Sequence, residues 1–118
     1  MSKLHTIKME NSKSEIKDYL LKRLFEEHAF WSYEKESCKN ITDYNLVKYV
    51  LIYLDLPDID LLFSTFPIRF IKRVWLDELV PQGDYLKNMN ICFAVLYFNI
   101  KKPLSYLKRM ESYKLNRI

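Results

Sequence analysis

The stretch DIDLLFSTFPIRFIKRVWLDELVP, residues 58–81, decides the fold. Ile59, Leu62, Phe63 and Phe66 recur at i, i+3, i+4 and i+7, which is one side of a helix. Pro67 ends that run, because a proline disfavours helical geometry in the residue before it. Beyond it Ile68, Ile71, Val74, Trp75 and Leu79 mark a second apolar side. The spacing predicts helices over 57–66 and 68–79, with Pro57 in the first turn of the earlier one. The later helix turns Arg69, Lys72, Arg73 and Asp77 the other way. Two readings follow. One is a helix-turn-helix-like unit that reads DNA. The other is a pair of core helices with a solvated basic face. The turn has no glycine, Asp77 and Glu78 would oppose phosphates, and no Asn or Gln within 68–79 is there to read adenine.

Working outward, the same periodicity recurs. Ser12 and Glu15 have capping-box spacing, and Ile16, Tyr19, Leu20 and Leu24 carry a helix to about Glu27. Thr42 is the expected N-cap of a helix over Asp43–Leu54 whose stripe is Leu46, Val47, Val50, Leu51 and Leu54. YVLIYL alone would also suit a buried strand, but the stripe reaches back to Leu46. After Pro81 and QGD, a helix from Asp84 to about Phe98 shows Leu86, Met89, Phe93, Leu96 and Ile100 on its core side, and it reads as a second central helix. Pro103 opens a last helix with Leu104, Leu107 and Met110. The connection AFWSYEKESCKN holds Phe30 and Trp31, large enough to staple it to the core. The expectation is an all-α fold: a compact orthogonal array of about six short helices. Residues 1–11 form a flexible N-terminus and 12–118 one domain.

Composition agrees. Of 118 residues, 49% are hydrophobic and 15% aromatic, enough for a true core. The N-terminus lacks the apolar run of a leader. The longest fully apolar run, Ile91–Phe98, is far short of the roughly 20 residues of a membrane span. The expected location is the cytoplasm, with no membrane contact. Two cysteines, Cys38 and Cys92, make neither a disulfide scaffold nor a zinc pair. Cys92 is expected buried and Cys38, in a polar stretch, exposed.

Gly83 is the only glycine. Phosphate-cradling loops need several, because only backbone without side chains can curl round the anion, and the hydrolase elbow needs two. These nucleotide-binding and hydrolase types are excluded. Glu26, Glu27 and His28 could pair a carboxylate with an imidazole, but His28 is better explained as a cation at a helix C-terminus. The pairs Asp58/Asp60 and Asp77/Glu78 read as local, the first complementing a helix dipole. No catalytic, cofactor-binding or metal-ligating residue is assigned, and no cofactor is expected.

Charge is segregated. Residues 41–66 hold Lys48 against Asp43, Asp55, Asp58 and Asp60, a net of −3, whereas residues 81–118 hold seven basic side chains against two acidic, a net of +5. Arg69, Lys72, Arg73, Lys101, Lys102, Lys108 and Arg109 are the candidate contacts to a nucleic acid or a protein partner.

HAFWSY, LDLPDIDLLFSTFP, IKRVW and LVPQGDYLKNMNICFAVLYFNIKKPLSYLKR, between His28 and Arg109, resemble a family of small uncharacterised bacterial helical proteins. The matching positions, such as Phe30, Trp31, Asp60, Leu61, Leu62 and Trp75, are mostly core types. Members of that family resemble companions of nucleotidyltransferase-type toxins, so the resemblance implies an antitoxin-like or regulatory role. The leading expectation is a non-enzymatic interaction protein with a protein partner, self-association included. A nucleic-acid-binding regulator is the alternative. A small enzyme using Glu27 and His28 comes third.

Overall fold

A computed structural model of the chain describes residues 13–27 and 41–116. Those residues are helical, with no strand among them, so the all-α expectation holds. They divide into two compact units, one ending at Pro67 and one beginning at Ile68.

The N-terminal unit contains α1 (Lys13–Glu26), α2 (Asp43–Tyr53) and α3 (Leu56–Thr65). Thr42, in extended backbone, caps α2 as expected: its Oγ1 accepts from the Asn45 amide at 3.1 Å. Leu54 and Asp55 leave the helical region, and α3 opens with Pro57 in its first turn, where the missing donor costs nothing. Phe66 is extended (φ −111°, ψ 151°), as the residue before Pro67 must be. α1 packs on α2 and α3, and α2 on α3. Ile16, Leu20 and Leu24 from α1 are buried, as are Leu46, Val47, Val50 and Leu51 from α2 and Ile59 and Leu62 from α3. A fully buried aliphatic side chain stabilises by roughly 1.5–3 kcal/mol, so this apolar seam holds the unit together. Ser12, Phe30, Trp31 and Cys38 lie outside the described residues.

The C-terminal unit begins with α4 (Ile68–Val74), which widens into a π-helical turn (Trp75–Leu79) and tightens into a 3-10 stretch (Val80–Leu86) before α5 (Lys87–Leu96); α6 (Pro103–Asn116) follows. The expected count of about six helices is therefore corrected. The described residues contain five helical runs, because 68–96 continues as one run, kinked at Gly83, where a loop around Pro81 was expected.

The bend has a local cause. Pro81 has no amide to give to the Asp77 carbonyl, so the α pattern cannot continue. Val80 N–H bonds instead to Trp75 O, the wider spacing of a π turn. Side-chain amides take the next two carbonyls: Gln82 Nε2 donates to Glu78 O at 3.0 Å, and Asn90 Nδ2 to Leu79 O at 3.2 Å. Gly83 then turns the chain at φ 60°, ψ −130°, a conformation that side chains disfavour.

Burial corrects three further expectations. Cys92 is exposed, not buried. Ile68 and Leu96, expected in the core, are each more than half exposed. The buried side of the Asp84–Phe98 stretch is Leu86, Asn90, Phe93 and Ala94, not Leu86, Met89, Phe93, Leu96 and Ile100. A helix apolar all round looks central from sequence, but only the side that meets its neighbours is covered.

Candidate interaction surface

Two charged constellations stand out. The first ties the N-terminal unit together. Asp58, only 6% exposed, accepts from the Tyr19 hydroxyl at 2.9 Å and from Arg23 Nε at 3.1 Å. Arg23 also pairs with Glu26 at 2.6 Å and with Glu27 at 3.4 Å. The hydrogen bond to Glu26, then that to Asp58, holds the guanidinium even more firmly protonated than usual. Burial, and after it the hydrogen bond to Asp58, pushes the Tyr19 phenol above its ordinary value. Asp58 stands in the first turn of α3, as expected, but its role is not only local: its partners lie 39 and 35 residues back. Glu27, the carboxylate of the enzyme reading, pairs with Arg23, and His28 lies outside the described residues.

The second constellation belongs to the C-terminal unit. Arg69, Lys72 and Arg73, at i, i+3 and i+4, share one side of α4. They line an open cleft of about 540 Å³ together with Leu76 and Asp77 from the π turn and Met110 and Tyr113 from α6. Trp75, fully buried, anchors the aromatic cluster behind it. Its ring centroid is 4.7 Å from Phe98 and 6.3 Å from Tyr106, the latter nearly parallel. Trp75 Nε1 donates to Asn90 Oδ1 at 2.9 Å, so the buried indole and the buried amide satisfy each other.

Lys72 and Arg109 cap this cluster. Lys72 Nζ is 5.7 Å and Arg109 Cζ 5.5 Å from the Tyr106 centroid, each within cation–π reach. Arg69 and Arg73 are exposed and enter no ion pair among the described residues.

Of the seven residues singled out from sequence, the structure gathers Arg69, Lys72 and Arg73 in the cleft and brings Arg109 to its aromatic backing. Lys108 lines a different hollow of about 380 Å³, with Gly83, Asp84, Lys87 and Glu111. Lys101 and Lys102 sit exposed in the turn before α6. Sequence reasoning missed Leu76, Met110 and Tyr113 as cleft residues, naming Met110 only as an apolar residue of the last helix. Met110 and Tyr113 are three residues apart on α6, and that spacing was the available signal.

No helix among the described residues is long and apolar enough to cross a membrane. Among the same residues no three His, Cys, Asp or Glu side chains converge as metal ligands. Compared with known protein families, curated proteins and solved structures, the chain matches none.

Proposed function

We propose that this is a non-enzymatic helical binding protein that engages a protein partner through the cleft between α4 and α6. One observation carries the reading: two exposed guanidinium groups without ion-pair partners among the described residues flank an apolar and aromatic wall of Leu76, Met110 and Tyr113. Arg, Tyr and Met are the side chains that protein interfaces favour, because they combine large contact area with directional polar groups. An antitoxin-like or regulatory role, the one implied by the family resemblance, is a form this binding would take.

A photo-crosslinking residue placed at Tyr113 in living cells tests the reading. A discrete protein adduct is expected, lost on Arg69→Glu with Arg73→Glu, and absent when the same group is placed at Lys22 on α1. No adduct at Tyr113 would reject the cleft as a contact surface.

The second reading is nucleic-acid binding by the basic side of α4, in the manner of a helix-turn-helix-like regulator. Three cations on one side of α4 favour it, and Asp77 in the same cleft opposes it. Three phosphate contacts give a slope of about −3 in log affinity against log salt. Titration of a labelled DNA duplex that shows no salt dependence would end it.

A further inference from the structure

We propose that the hollow where α6 packs against the bend at Gly83 is a second binding site, and that it takes a small aliphatic zwitterion: a molecule of amino-acid or dipeptide size carrying one ammonium and one carboxylate. The hollow, of about 380 Å³, lies within the C-terminal unit and shares no residue with the cleft. It stands or falls apart from the cleft reading. Its volume falls within the range of small-molecule sites, about 300–1,000 Å³. One wall comes from α6, where Leu104, Leu107, Lys108 and Glu111 recur at i, i+3, i+4 and i+7 and so share a side. The other comes from the bend and the first turn of α5, with Val80, Asp84, Lys87 and Asn90. Gly83 joins the two. A β-carbon there would sit 3.4 Å from Glu111 Oε2, so the missing side chain leaves the carboxylate its place over the bend.

The charges of the hollow come as two opposite pairs at i, i+3: Asp84 with Lys87, and Lys108 with Glu111. Opposite charges at that spacing on a helix attract one another. Yet none of these four side chains enters an ion pair or a hydrogen bond among the described residues. Each wall therefore offers a ligand one free cation and one free anion. Between them Val80 and Leu107, 2% and 8% exposed, supply an apolar base. Asn90 is buried as well. Its Oδ1 accepts from Trp75, and one Nδ2 hydrogen goes to Leu79 O. An amide nitrogen carries two hydrogens, and the second has no acceptor among the described residues. A ligand with one charge would satisfy one sign here and strip water from the other, which is unfavourable. A zwitterion answers both: its ammonium meets Asp84 and Glu111, its carboxylate meets Lys87, Lys108 and the spare Asn90 donor, and its aliphatic body lies on Leu104 and Leu107.

Amide NMR titration of the nitrogen-labelled full chain tests this with two probes, L-leucine and leucyl-leucine. At least one is expected to shift the Gly83 amide and the Asn90 side-chain amide saturably, with a millimolar dissociation constant. The same probe acetylated at its ammonium, or amidated at its carboxylate, binds at least about tenfold more weakly, the loss expected for a charge-assisted hydrogen bond. Lys108→Gln, at an exposed position, weakens the zwitterion by a similar factor but leaves the amidated probe unchanged, because that probe has no carboxylate to lose. Glu111→Gln does the converse and spares the acetylated probe. Far-UV circular dichroism checks that both variants fold, and the comparison of free and capped probes on wild type decides even if one of them does not. The absence of a saturable shift with either probe up to tens of millimolar overturns the proposal. So do capped probes that bind as well as free ones, a Lys108→Gln chain that binds the zwitterion like wild type, or shifts centred on Arg69 and Tyr113, which would put the molecule in the cleft. Failure of the Tyr113 crosslink rejects the cleft and leaves the hollow standing.

Discussion

Arg23 and the pair Arg69/Arg73 are the same side chain in opposite circumstances. Arg23 is held by Glu26, Glu27 and Asp58, and through Asp58 it links α1 to α3. Arg69 and Arg73 have no such partners among the described residues and stand beside an open cleft. A guanidinium enclosed by carboxylates acts on the fold, because removing it or its partner leaves buried polar groups stranded. A guanidinium in water does little for the fold and is available to a ligand. Net charge counts the two alike, so the +4 of the whole chain does not reveal which cations serve binding.

The same contrast extends to the units. The N-terminal unit is closed by an ion-pair cluster. The C-terminal unit is closed by a neutral pair, indole and amide, at a helical bend. Breaking the neutral closure should cost most. Trp75→Ala removes a fully buried indole and takes the donor from Asn90; a loss of about 4 kcal/mol is expected by urea denaturation. If Trp75→Ala loses less than 1 kcal/mol, the indole is not the anchor described here. Breaking the charged closure comes next. Asp58→Ala removes the acceptor of the half-exposed Tyr19 hydroxyl, which water can replace, and one partner of Arg23, for a loss of about 1 kcal/mol.

A smaller effect separates the two closures by pH. The Tyr19 phenol is raised in the folded chain, so the folded state holds its proton more tightly than the unfolded state does. Its stabilising contribution is full below the ordinary tyrosine range, near pH 10, and is lost as pH rises through the folded value. Tyr19→Phe should therefore flatten the alkaline fall in stability. An unchanged alkaline limb would show that the phenol is not coupled to folding. The smallest effect is expected at the other pole of the comparison. Arg69→Ala with Arg73→Ala should leave the melting temperature within about 2 °C of wild type while abolishing the Tyr113 adduct. A large drop in melting temperature would place these arginines in the fold.

Much of this was legible beforehand. Proline positions, the Thr42 cap and the 3.6-residue stripes placed α1 to α3 and the start of α4 within a residue or two, because helix ends and apolar sides are set by neighbouring residues. Arg69, Lys72 and Arg73 were legible as one face for the same reason. The bend after Val74 was not. Its carbonyls are satisfied by Gln82 and by Asn90, and Asn90, eleven residues beyond Leu79, looked like an ordinary polar residue of an apolar helix. The exposure of Cys92 and Leu96 was hidden too, since a uniformly apolar helix carries no mark of which side is covered.

By itself, then, the sequence determined the helical class, where most helices begin and end, and which cations share a side of α4. Those properties depend on residues within one or two turns of each other. Only tertiary structure decided that Asp58 turns inward to Arg23 and Tyr19, that Asn90 seals the bend at Trp75, and that Met110 and Tyr113 face the arginines of α4. Each of these joins residues far apart in the chain, and such pairings are chosen by packing and by the cost of leaving a buried polar group unsatisfied, which no local pattern records.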